Sequence, residues 1–187
     1  MANIQFSHIS KLFASDTEAV KNFNLEVADG EFLVIVGSSG CGKSTILRMV
    51  AGLEEITAGE LKIDGVVVND WDSKKRNVAM VFQNYALFPN LTVEDNMGFA
   101  LKMQHVPKKE RKEKVEEMAK ILKVEDILKR KAKKLSGGQC QRVAIGRALV
   151  CEPNVFLMDE PLSNLDAAMR TELRTEIAQL QKQLGVT

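Results

Sequence analysis

The segment that most constrains this chain is Gly37-Ser38-Ser39-Gly40-Cys41-Gly42-Lys43-Ser44, a complete G-x-x-x-x-G-K-S sequence. What flanks it matters as much as the segment itself. Phe32-Leu33-Val34-Ile35-Val36 precedes it as a continuous apolar run, the pattern of a strand buried on both faces in a parallel sheet. From Lys43 onward the apolar residues Ile46, Leu47, Val50 and Ala51 recur at helical spacing, and Gly52 is a C-terminal stop. Strand, glycine-rich turn and helix in succession predict an α/β core. Glycines at a strand-to-helix turn let backbone N–H groups converge on phosphate oxygens, and the helix aims the positive end of its dipole at the same point. Lys43 supplies a point charge for outer phosphates, Ser44 a hydroxyl ligand for Mg²⁺, and Thr45 continues the loop. A turn that merely joined two elements would need the glycines but neither Lys43 nor Ser44. The expected ligand is therefore a nucleoside triphosphate, ATP, with Mg²⁺.

The rest of the composition narrows the class. Across 187 residues, 45% are hydrophobic and 27% charged, as in a soluble globular domain. The net charge of +1 gives no electrostatic case for nucleic acid. No apolar run approaches the ~20 residues of a membrane span. The N-terminal Met1-Ala2-Asn3-Ile4-Gln5-Phe6 has no signal-peptide pattern, so a cytoplasmic chain is expected. Cys41, Cys140 and Cys151 show no metal-like spacing. Cys41, near a helix start, is either a reactive thiol or a small side chain tolerated in a tight loop.

Val78-Ala79-Met80-Val81-Phe82 and Val155-Phe156-Leu157-Met158 are two more buried-strand candidates. Ile4-Gln5-Phe6, Asn24-Leu25-Glu26-Val27, Leu61-Lys62-Ile63 and Val66-Val67-Val68 alternate as strands of an antiparallel layer, the last two flanking a turn at Asp64-Gly65. Residues from Thr92 to about Lys134 read as helices, and Lys108 to Lys114 mixes charge signs as a solvated helix does. The expected organisation is one 1–187 domain. Residues 1–85 and 150–187 form the core with its antiparallel β-layer, and 86–149 form a helical insertion.

Two further features carry chemistry. The strand candidate at 155–158 ends in Asp159-Glu160, and parallel strands deliver their last residues to the ligand-binding edge. Asp159 is expected to hold Mg²⁺ opposite Ser44, and Glu160 to orient or deprotonate an attacking water. Leu135-Ser136-Gly137-Gly138-Gln139 opens another helix, with Ser136 as N-cap and glycines exposing backbone donors. That makes a second anion site on the same chain, or simply a well-capped helix.

With Leu-Ser-Gly-Gly-Gln in place, the sequence resembles the nucleotide-binding subunits of ABC transporters over nearly its whole length. The resemblance implies a P-loop NTPase core with a mostly parallel sheet, an N-terminal antiparallel β-layer and a helical subdomain carrying the signature. It implies a glutamine loop at Gln83, which contacts the metal and attacking water, and a D-loop at Ser163-Asn164-Leu165-Asp166. It also places Phe13 where an aromatic stacks on adenine. A head-to-tail dimer with an identical or paralogous subunit is implied, so that Lys43, Ser44, Asp159 and Glu160 of one copy face Ser136, Gly137 and Gly138 of the other. Transmembrane permease subunits would be the other partners, with the chain peripheral on the cytoplasmic face of the membrane and not inserted in it.

The wording of Tyr85-Ala86-Leu87-Phe88-Pro89-Asn90-Leu91-Thr92-Val93 and of Phe156 to Asp166 is similar to that of the sugar-importer branch. Cys140 departs from the arginine or glutamine common there. The family also continues past Thr187 with a strand ending in a histidine near the γ-phosphate, whereas His8 and His105 are the two histidines here. The expectation is an N-terminal piece of a longer ATPase, which binds nucleotide better than it turns it over. A nonhydrolytic nucleotide-binding fragment and a soluble ABC ATPase acting on nucleic acid or ribosomes are the competing classes.

Overall fold

The computed structural model describes residues 2–14, 17–161 and 167–187. Two compact units emerge. One comprises Met1–Met80, Pro153–Asp159 and Thr175–Thr187, the other Val81–Glu152 and Glu160–Arg174.

In the first unit, β1 (Ile4–Leu12) pairs antiparallel with β2 (Glu18–Val27) and with β3 (Ala58–Ile63), which turns back into β4 (Val66–Val67). The sheet order is β2-β1-β3-β4, the antiparallel layer that residue alternation predicts. Ile4, Phe6 and Ile9 of β1 are buried, as are Val20 and Val27 of β2 and Leu61 and Ile63 of β3. Phe6 meets Phe23 edge to face, with ring centroids 5.2 Å apart. Helix α1 (Lys43–Ala51) lays Ile46, Met49, Val50 and Ala51 into the same core and ends at Gly52, which is left-handed at φ 69°. β5 (Val78–Val81) and β6 (Val155–Met158) form a second, two-stranded parallel sheet, whose Val155 and Leu157 also enter that core.

One expected strand does not form. Phe32 to Val36 pairs with no strand among the described residues, and Val34 and Val36 are 64% and 83% exposed. Ile35 alone of the five packs against the core. An all-apolar run gains its burial from neighbours on both sides of a parallel sheet, and no strand supplies them here. An unpaired apolar segment of this kind templates edge-to-edge association. Val34→Lys combined with Val36→Lys is expected to lower self-association, read as a smaller scattering mass at the same concentration. Circular dichroism should be unchanged, because both side chains lie outside the core.

The buried Arg76 ties this unit together. Its guanidinium donates to the carbonyls of Met49 (2.7 Å) and Val50 (3.2 Å) at the end of α1, and to those of Asn69 (3.1 Å) and Trp71 (3.0 Å). A cation at the carbonyl end of a helix is favoured by the macrodipole, so this buried charge faces partial negative charge throughout.

The second unit is helical: α2 (Val93–Met97), α3 (Phe99–Met103), α4 (Lys108–Ile121) and α5 (Gly137–Leu149). Val93, Met97, Leu101, Val115, Ala119, Val143 and Ile145 are among its buried residues. The charged 108–114 stretch forms the solvated helix start that its mixed signs predict, and Lys112 pairs with Glu116 at 3.5 Å. Asn96, fully buried, accepts from the Phe88 N–H (2.8 Å) and donates to the carbonyls of Phe88 (3.1 Å) and Thr92 (2.9 Å), holding the loop before α2. A last helix, α6 (Ala167–Leu184), follows β6 in sequence.

Candidate nucleotide-binding site

The glycine-rich loop takes the conformation its glycines allow. Gly40 and Gly42 lie at φ 80° and 94°, in the left-handed region that disfavours other residues. Gly42 is also the N-cap of α1, and a Cβ there would stand 2.5 Å from the Ala19 carbonyl oxygen. At Gly37 a Cβ would stand 2.6 Å from the Cys41 sulfur. No side chain caps α1 and no acidic residue occupies its first turn. The helix therefore presents its N-terminal dipole and backbone donors without an internal anion to neutralise them. Lys43 folds back over the loop, its ammonium donating to the carbonyls of Gly37 (3.0 Å) and Ser38 (2.7 Å), with the Cys41 sulfur at 3.7 Å.

The decisive pair joins residues 115 positions apart: the Ser44 hydroxyl donates to Asp159 Oδ1 at 2.6 Å. Asp159, at the end of β6, is 6% exposed. A hydroxyl and a buried carboxylate beside a phosphate loop form an all-oxygen donor set. That set fits Mg²⁺, which binds through one or two carboxylates and completes its shell with phosphate oxygens and water. Among the described residues no group of three or more His, Cys, Asp or Glu gathers to hold a metal by itself.

Glu160 differs sharply from its neighbour. It is exposed and left-handed at φ 46°, a backbone state that a non-glycine residue adopts only where the surroundings impose it. Phe13 lies just past β1, 36% exposed, its ring 5.1 Å from the ammonium of Lys11, which is itself paired with Glu54 at 2.7 Å.

In the second unit, Ser136 is the N-cap of α5, as its sequence context predicts. Its hydroxyl accepts from the Gln139 N–H (3.3 Å), and the Gln139 side-chain oxygen accepts from the Ser136 N–H (3.1 Å). This reciprocal capping box opens the helix on Gly137, exposed, and Gly138, buried. Gln83 is exposed in the turn after β5. The structure thus joins Lys43, Ser44, Thr45 and Asp159 with the loop in one unit. Gln83, the signature residues and Glu160 belong to the other. The expected D-loop, Ser163 to Asp166, lies outside the described residues.

The ABC transporter family profile matches residues 20–163. The chain belongs to the ABC transporter family. Its relatives and structural neighbours are ATP-binding proteins and cassettes of that family. It is 58% identical over its full length to the oligosaccharides import ATP-binding protein MsmX of Bacillus subtilis (strain 168), covering 51% of that protein. It is 57% identical to the lactose transport ATP-binding protein LacK of Rhizobium radiobacter, again covering 51%. The chain thus spans about half the length of the curated relatives it matches. The bacterial ABC transporter cassette MJ0796, solved as a dimer, superposes with a TM-score of 0.85 at 34% identity, over 98% of this chain and 85% of that one. A second dimeric structure of it, bound to ADP and Pi, gives 0.83 at 33%, over 97% and 84%.

Within this ABC cassette, the three thiols separate by environment. Cys41 is exposed, whereas burial pushes the Cys140 and Cys151 thiols up. A limiting thiol reagent near neutral pH is therefore expected to label Cys41 first, and peptide mass spectrometry reads the order. Because Cys41 touches Lys43, labelling it should also reduce nucleotide binding; equal labelling of all three would contradict these environments. Arg76, Asn96 and Arg147 escaped the sequence reading. Each is a polar side chain bonded to backbone carbonyls, those of Arg76 up to 27 and of Arg147 up to 62 residues away and those of Asn96 in the loop just before it, and no spacing rule announces such a bond.

Proposed function

We propose that the chain is the ATP-binding and hydrolysing motor of an ABC importer for sugars or related solutes. The Ser44–Asp159 pair beside the Lys43 loop carries the reading, because it brings a metal-ligating hydroxyl and carboxylate to a triphosphate cradle. The loop amides and Lys43 bind the β- and γ-phosphates, and Phe13 stacks on adenine. Ser44 and Asp159, with Gln83, hold Mg²⁺, which when bound neutralises phosphate charge. Glu160 orients the attacking water. Ser136, Gly137, Gly138 and Gln139 of a second copy, placed head to tail, cover the other side of the nucleotide. The dimeric state of the MJ0796 cassette and the names of the two importer relatives support the dimer and the solute class. No helix among the described residues is long and apolar enough to cross a membrane. The importer reading places the chain on permease partners at the cytoplasmic face of the membrane.

The test is MgATP hydrolysis and nucleotide-dependent dimerisation of the purified chain. Glu160→Gln should hold ATP yet lose turnover by about 100-fold or more, the scale of losing one transition-state contact. Ser136→Arg should block dimerisation while leaving nucleotide affinity within a few fold. Turnover surviving Glu160→Gln, or dimers surviving Ser136→Arg, would overturn the respective assignment.

A further inference from the structure

Two residues beyond Gln83 the backbone does something costly. Tyr85 and Ala86 are consecutive non-glycine residues at φ 59° and 48°. A left-handed residue with a Cβ is disfavoured by roughly tenfold relative to its ordinary conformations, so two in succession need an external hold. Local bonds contribute: the Tyr85 N–H donates to Phe82 O (2.9 Å) and the Ala86 N–H to Asn84 O (2.7 Å). These close the turn but do not remove the steric cost at either residue.

The hold comes from the signature helix. Arg147, in the last turn of α5, donates through one guanidinium nitrogen to Ala86 O (2.6 Å) and through the other to Tyr85 O (2.9 Å). Both strained residues are therefore gripped by one planar, half-buried, charged fork, the geometry in which arginine outperforms lysine. The Tyr85 phenol is pushed up first by burial and then by Cys140, a residue of the first turn of the same helix. Its hydroxyl is buried without a hydrogen-bond partner among the described residues. Downstream, Asn96 fixes Phe88. The segment is thus pinned at Phe88 and held against strain at Tyr85 and Ala86, two and three residues on from Gln83.

We propose that Arg147 is a positioning residue that latches the strained Tyr85–Ala86 turn onto the signature helix and thereby sets where Gln83 stands. A latch of two charge-assisted bonds against two strained residues is close to balanced, so releasing Arg147 relaxes the turn and moves Gln83 without unfolding the helices. The bonds are observed in the structure; the effect on turnover rests on the ATPase reading above.

The test separates those two layers. Hydrogen exchange is followed at the Tyr85 and Ala86 amides in the full chain. Arg147→Met is expected to speed exchange there about tenfold or more while the amides of α2 and α5 keep their rates. Adding Ala86→Gly removes one steric penalty and should restore most of the lost protection, whereas a purely structural Arg147 would gain nothing from an added glycine. Arg147→Lys, with one donor group in place of the fork, should fall between, and serves if the methionine variant does not fold. In steady-state MgATP turnover, Arg147→Met should lower kcat about tenfold with KM changed less than twofold, and Ala86→Gly should recover it. Unchanged exchange at the two amides overturns the latch, as does loss of protection across α5 that glycine does not rescue. A native chain without turnover would overturn the ATPase reading, while the exchange result would still judge the latch.

Discussion

Replacing Lys43 with alanine is expected to raise the dissociation constant for MgATP about 100-fold, since a hydrogen bond to a charged group is worth about 1.5–3 kcal/mol and Lys43 serves two outer phosphates. The ammonium already sits over the loop, bonded to the carbonyls of Gly37 and Ser38. A bound triphosphate would exchange weak partners for charged ones without moving the lysine far. Both carbonyls belong to exposed residues, so water can satisfy them once the lysine is gone. Stability should therefore change by less than about 1 kcal/mol, as expected for a substitution away from the core. Calorimetric titration and a thermal melt on the same sample separate the two effects. Affinity within threefold of the native value would mean that Lys43 does not meet the phosphates.

Arg76→Met should do the reverse, destabilising the chain while leaving the chemistry of the loop intact. Four backbone carbonyls lose their donor at once, two of them at the buried end of α1. Leaving a buried acceptor unsatisfied costs about 1–3 kcal/mol. Gly52 N–H and Leu53 N–H already serve the carbonyls of Met49 and Arg48, so Met49 keeps a partner. Met fills the volume of the arginine stem, which limits the cavity. A net loss of about 3 kcal/mol follows, or roughly 10 °C in Tm for a domain of this size. Arg76→Lys should recover only part of it, because one ammonium cannot span carbonyls on Met49, Val50, Asn69 and Trp71 together. Denaturant unfolding of the three proteins measures this. A cost below about 1 kcal/mol for Arg76→Met would show that water reaches those carbonyls.

Local chemistry was legible in the sequence wherever it is set within a few residues. The left-handed Gly42 and Gly52 at the two ends of α1, the Ser136–Gln139 capping box and the turn at Asp64-Gly65 all follow from what each side chain allows its own backbone. The apolar periods placed α1, β5 and β6 within a residue or so of where they lie. The segment Phe32 to Val36 shows the limit of that kind of reading. Its composition suits a doubly buried strand, yet a strand needs partners, and pairing is decided by residues elsewhere in the chain.

The same division runs through the site. By itself the sequence determined the phosphate loop, the acidic strand end and the capped signature helix, because glycine conformations, N-caps and hydrophobic periods act over a single turn. Only the tertiary structure decided that Asp159 is buried on the Ser44 hydroxyl while Glu160 is exposed and left-handed, although the two carboxylates are adjacent and alike in composition. Only it decided that Arg76 closes α1 and that Arg147 grips Tyr85 and Ala86. These bonds span from 5 to 115 residues. Closing such contacts depends on how the elements pack, and packing is a property of the folded chain as a whole.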